Sequence, residues 1–220
     1  MRAWAVKEGA PLQTHVRQVL DQLEARSASE RAELETLRAQ GVEQVRAAAG
    51  RLMLDTGAQA GAVLNMMVRL TGAQRVVEVG GSVGYSTLWL AEAAQATGGV
   101  VISIELDPSK NQEQRANLAK AQLSDSADLR VGDADEILAG LKGPIDLVFI
   151  DHWPKSAFPR TFSAVWPHVR RGGLVIANNM LRPASSVADA KIYLAHVEAV
   201  ADSRTTVLDV GKGLSLTIRV

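Results

Sequence analysis

The 220-residue chain contains no cysteine, so disulfides, thiolate zinc sites and cysteine nucleophiles are excluded. It has no excess of one charge either: 24 basic side chains face 24 acidic ones. That balance argues against the strongly basic surface with which proteins usually grip nucleic acid. No apolar run approaches the roughly 20 residues that span a bilayer. The opening MRAWAVKEGAP also lacks the apolar core of a signal peptide. The expectation is therefore a cytoplasmic protein with neither nucleic acid nor membrane as partner. What is present, 47% apolar and 22% charged residues, suits one α/β domain with a helical addition.

Along the chain, Leu12, Val16, Val19, Leu20 and Leu23 recur at helical spacing, as do Leu34 and Leu37. Ser29-Glu30-Arg31-Ala32-Glu33 resembles a helix start, so two helices are predicted, over 12–25 and 29–40. Residues 1–50 form an N-terminal helical segment, packed over the domain or onto a second subunit, and 51–220 form the main domain. A loop over 50–57 leads to a helix over 58–70 closed by Gly72. Strands then alternate with helices. Val76–Val79, Val100–Ile104, Leu129–Ala134, Ile145–Asp151 and Gly172–Asn179 read as strands, with helices between them. A hairpin, Thr205–Val210 and Leu214–Val220, closes the chain by turning at Gly211-Lys212-Gly213. The fold class is α/β, a Rossmann-like, doubly wound, mostly parallel sheet of seven strands with an antiparallel last strand.

The stretch Arg75–Leu90, RVVEVGGSVGYSTLWL, runs from a β-branched strand through a glycine turn into a helix. Backbone N–H groups at such a helix N-terminus meet anionic or polar ligands. The glycines stand at 80, 81 and 84, which matches neither the dinucleotide pattern G-x-G-x-x-G nor the phosphate loop G-x-x-x-x-G-K-[ST]. The pattern present is E-x-G-x-x-x-G.

Ligands of open parallel sheets bind outside the C-terminal strand ends. Polar residues recur there: Glu78, Glu105, Asp133, Asp151, Asn178 and Asn179. Glu105 ends the strand after the glycine turn, where a carboxylate can accept both ribose hydroxyls of a nucleoside. Asp133 has a plainer reading as a turn residue or helix cap. Asp151, Asn178 and Asn179 end adjacent strands and present oxygen, the donor that Mg²⁺ or Ca²⁺ selects. His152 reads as a packing or hydrogen-bonding residue.

Together EVGGSVGYSTLWLA, ISIELDP, VGDADEIL, DLVFIDHWPK, RRGGLVIANN and VGKGLSLTIR resemble the class I S-adenosylmethionine-dependent O-methyltransferases of catechol and caffeoyl-CoA type, from about Leu52 onward. The resemblance implies an S-adenosylmethionine cofactor and a small acceptor with an aromatic hydroxyl. It also implies help from Mg²⁺ or Ca²⁺, and a homodimer. It places Gly80 and Gly84 along the methionine part of the cofactor, with Ser86 near its carboxylate, Glu78 in the same cofactor-binding motif, and Leu54 and Thr56 in the loop closing over the methionine end. Glu105 falls on the ribose, and Asp133 and Ala134 flank the adenine. Asp151, which also touches the cofactor side, joins Asn178 and Asn179 as metal ligand positions. Lys155 is the candidate catalytic lysine beside Asp151, and Trp153 and Ser215 fall at the acceptor.

Three departures stand out. Asn178 replaces a carboxylate, Pro154 shifts Lys155 by one position, and Ser215 stands where an acid touches the acceptor. They keep two other readings open: a metal-independent N- or O-methyltransferase, and a non-catalytic cofactor-binding protein. Lys155 itself has the alternative of a solvated surface lysine.

Overall fold

The computed structural model describes residues 12–220. The described residues open with α1 (Thr14–Gln40), followed by α2 (Val42–Ala48) and α3 (Ala58–Thr71). The alternating part runs β1 (Arg75–Val79), α4 (Tyr85–Thr97), β2 (Val100–Glu105), α5 (Pro108–Lys120), β3 (Ala127–Val131), α6 (Ala134–Ala139) and β4 (Ile145–Ile150). It continues through α7 (Phe158–Val165), β5 (Val169–Asn178), α8 (Val187–Glu198), β6 (Ser203–Leu208) and β7 (Leu214–Arg219). The seven strands lie in the order β3-β2-β1-β4-β5-β7-β6. Strands β1 to β5 pair in parallel, whereas β7 runs antiparallel to both neighbours.

The continuous apolar runs of β1, β2 and β4 are explained by cores on both faces of the sheet. Val76, Leu147, Phe149, Leu174 and Ile176 face α3 and α4, together with the start of α1. Val77, Val79, Val148, Ile150 and Val175 face the other way, onto α7 and α8. Strands β2 and β3 lie on one side of β1, and β4 and β5 on the other. The winding reverses between β1 and β4, which opens a crevice at their C-terminal ends.

Two expectations are corrected in the N-terminal segment. A single 27-residue helix replaces the two expected over 12–25 and 29–40. Ser27-Ala28-Ser29 contains no proline or glycine to break the helix. Ser29 Oγ donates back to the Arg26 carbonyl at 2.7 Å, and Arg26 pairs with Glu30 one turn on. The short α2 was not foreseen, because its seven residues are too few to establish a period. Val16, Val19, Leu20 and Leu23 are buried in the main core, each contributing about 1.5–3 kcal/mol on full burial. The second half of α1, beyond Ser27, lies mostly exposed.

Candidate functional site

A cavity of about 690 Å³ opens at the C-terminal ends of β1, β2 and β4. Its floor is the turn from β1 into α4. Gly80 has φ +96, and a Cβ there would lie 2.7 Å from the Asp151 carbonyl oxygen and 2.8 Å from His152 Cα. Only glycine lets the turn approach the β4 loop this closely. Gly84 begins α4 without a side-chain cap, so the first-turn N–H groups have no intrahelical partner. Those groups carry the positive end of the helix, and Tyr85 and Ser86 line the cavity.

Beneath the floor, Glu78 is completely buried. It accepts from Ser86 Oγ at 2.6 Å, from Ser103 Oγ at 2.6 Å and from Thr87 Oγ1. Burial raises its pKa, and the three hydroxyls pull it back. Glu78 therefore shapes the turn from below and does not line the cavity, and the Ser86 hydroxyl is committed to it.

Glu105 lies on the cavity wall with each oxygen steered by the backbone. Oε2 accepts from Ser82 N at 2.7 Å and Oε1 from Asp107 N at 2.9 Å. One lone pair on each oxygen stays open for paired hydroxyls. Asp133 caps α6, accepting from Asp135 N at 2.8 Å, and still borders the cavity with Ala134. Across the opening lie Leu54 and Thr56. Thr56 is 3% exposed, yet its Oγ1 has no hydrogen-bond partner. A buried orphan hydroxyl on a cavity wall suits a ligand that would complete it. The free helix N-terminus, the open Glu105 lone pairs and the orphan Thr56 hydroxyl fit a nucleoside bearing an amino-acid tail.

At the far end of the cavity lie Asp151, Trp153, Lys155 and Asn179. Lys155 is 7% exposed, which overturns the reading of a solvated lysine. Its Nζ donates to Asp151 Oδ1 at 2.6 Å and sits 4.7 Å from the Phe158 ring centroid. Asn178 Nδ2 donates to Asp151 Oδ2 at 2.9 Å, while Asn178 Oδ1 is buried without a partner. Asn179 takes φ +66 and donates its amide to the Arg182 carbonyl at 2.9 Å. Asn178 thus meets Asp151, Asn179 shares only the cavity wall with it, and the single carboxylate among the three has both oxygens occupied. Among the described residues no cluster of three His, Cys, Asp or Glu side chains could hold a metal. The donor set does not fit a divalent cation in this arrangement.

Gly84 and Ser215 stand apart from the cavity. A Cβ on Gly84 would meet the Gln114 side chain at 3.0 Å, so that glycine serves packing against α5. Ser215 is fully buried opposite Ala177 on the sheet, so its hydroxyl has no path to an acceptor. His152 bonds Thr161 Oγ1 at 2.8 Å and packs on Phe158, as its sequence reading had it. Burial, together with the Lys155 charge, lowers its pKa to about 4.

Lys212 is among the cavity residues that went unassigned in the sequence. Lys212, in the β6–β7 turn, reaches the cavity and donates its ammonium to the Asp55 carbonyl. Burial lowers its pKa, whereas Asp55 and Asp151 act to raise it. The available signal was a lysine between two glycines in a turn at the ligand-binding edge of the sheet.

The O-methyltransferase family model matches residues 24–220. A catechol O-methyltransferase from Mycobacterium tuberculosis is 34% identical over 149 residues, 67% of this chain and 65% of that relative. One from Niastella koreensis is 31% identical over 140 residues, 62% of each chain. The chain thus spans somewhat less than two thirds of the length of these curated relatives. A solved cofactor-bound protein from MTB superposes with a TM-score of 0.71 at 28% identity, covering 78% of this chain and 84% of its own.

Proposed function

Because the chain belongs to the O-methyltransferase family, we propose that it moves a methyl group from S-adenosylmethionine to a hydroxyl of a small, catechol-like aromatic acceptor. The observation that carries the reading is Glu105, held by two backbone N–H groups with open lone pairs facing a cavity that ends at Asp151 and Lys155. Glu105 would hold the ribose, and the α4 N-terminus and Thr56 the methionine end. When bound, the cofactor supplies an activated methyl on a sulfonium, whose C–S electron pair returns to sulfur as the acceptor oxygen–carbon bond forms.

The protein's own work is alignment, for which roughly 7–11 kcal/mol of barrier reduction is available. Trp153, partly exposed at the cavity rim, offers an aromatic face to the acceptor ring. The acceptor hydroxyl would lie against the Asp151–Lys155 pair, with its proton passing to the Asp151 carboxylate or to water. Divalent-cation assistance belongs to the resemblance, but the occupied Asp151 oxygens favour the metal-independent reading.

The same proposal takes 1–50 as a cap and dimer contact and 51–220 as the methyltransferase unit of a cytoplasmic homodimer. The exposed second half of α1 supports the dimer contact. Among the described residues no helix is long and apolar enough to cross a membrane. The balanced 24 and 24 charges favour a small acceptor over nucleic acid.

The test is transfer of labelled methyl from S-adenosylmethionine to a panel of catechols, other phenols and amines. Methylated catechol oxygen is the expected product. Labelling of amines alone, or of nothing in the panel while the cofactor still binds, would overturn the acceptor assignment.

A further inference from the structure

A hard divalent cation is bound through oxygen, commonly from carboxylates, and its affinity follows the ligand charge count. The far end of this cavity is built differently. Asp151 supplies the one carboxylate, and the Lys155 ammonium already sits 2.6 Å from its Oδ1. That ammonium is buried and lies over the Phe158 ring, so a cation could enter only by expelling it. Asn178 turns its N–H group, not its oxygen, toward the carboxylate.

A second cation, Lys212, faces the same cavity. Its turn is anchored by Leu181 N and Arg182 N, both donating to the Lys212 carbonyl at 3.0 Å, and by Met180 N donating to the Gly213 carbonyl at 3.0 Å. The ammonium has a carbonyl partner, the Asp55 oxygen, rather than a carboxylate. Among the described residues no carboxylate oxygen pairs with Lys212 as Asp151 does with Lys155. An anchored ammonium bonded only to a neutral oxygen suits an anionic or strongly polarised oxygen from a ligand.

We propose that this chain carries no divalent cation at Asp151, and that Lys155 and Lys212 together hold the acceptor oxygen in place of one. The proposal rests on the methyl-transfer reading only for the identity of the occupant. Lys212 is then a specificity-determining residue for the acceptor, and Asn178 keeps Asp151 turned toward Lys155.

The experiment titrates Mn²⁺ into the full-length protein by electron paramagnetic resonance. It also measures catechol binding by calorimetry in the presence of S-adenosylhomocysteine. Wild-type protein is expected to leave the free Mn²⁺ signal intact up to about 1 mM, the weak end of oxygen-ligand sites. Lys155→Met combined with Asn178→Asp should bind Mn²⁺ at least tenfold tighter than wild type. Lys212→Met should weaken catechol at least tenfold with S-adenosylhomocysteine affinity unchanged, and Lys212→Arg should recover part of the loss.

Mn²⁺ bound by wild type and lost in Asp151→Asn would overturn the proposal, as would a folded Lys212→Met that binds catechol normally. The wild-type titration decides the metal question even if a variant fails to fold. It also decides it if no acceptor is methylated, an outcome that would sink the functional reading alone.

Discussion

Replacing Glu105 by glutamine keeps the shape of the side chain while removing its charge and one of its two acceptor oxygens. In the protein those oxygens accept from Ser82 N at 2.7 Å and Asp107 N at 2.9 Å, so the carboxylate is oriented before any ligand arrives. Glutamine can satisfy one of these N–H groups, but it turns an NH₂ toward the other. A ribose would then lose one charge-assisted hydrogen bond. Bonds to charged groups contribute about 1.5–3 kcal/mol, so cofactor affinity should fall roughly ten- to a hundredfold. Part of the loss would come from the loosened Ser82 loop. Calorimetric titration of S-adenosylmethionine into Glu105→Gln, with a thermal melt to verify folding, measures the effect. A folded variant that binds within twofold of wild type would refute the reasoning and move the nucleoside elsewhere in the cavity.

Two further outcomes follow from buried groups. Thr56→Val removes a hydroxyl that is buried without a partner, so it should leave stability unchanged or raise it by up to about 1–3 kcal/mol. It should also weaken S-adenosylmethionine in calorimetry; unchanged cofactor affinity would return Thr56 to a packing role. His152 has its pKa lowered to about 4 by burial, together with the nearby Lys155 charge. The unfolded chain, with its ordinary value near 6.5, then binds more protons than the folded one between those limits. The resulting stabilisation is complete above about pH 6.5 and is lost as pH falls toward 4, amounting to roughly 3 kcal/mol. Urea melts of wild type and His152→Phe across pH 4–7 should show the wild type losing more stability on acidification. Parallel curves would contradict it.

Local patterns in the chain were enough to locate the strands, the glycine turn and Glu105. A buried parallel strand needs an unbroken apolar run, and its C-terminal end is marked where polar residues resume. The β1–α4 turn announces itself in the three glycines at 80, 81 and 84, set between an apolar strand and a helix. Each of these features is settled by residues close together in sequence. Helix α1 shows where that logic fails, since Ser29-Glu30-Arg31-Ala32-Glu33 reads as the start of a second helix while the turn-to-turn bond and ion pair carry the first one through. The far end of the cavity was equally illegible. Lys155 and Asn178 both converge on Asp151, the latter across 27 positions, and Lys212 arrives from a hairpin 157 positions beyond its Asp55 partner. Ser215, two residues past Gly213, lies buried beside Tyr193 of α8 because strand alternation points it away from the cavity. Residue types name what can bind. Which oxygens and ammonium groups are already engaged with one another depends on the strand order and on the direction of each side chain, and only the folded chain decides those.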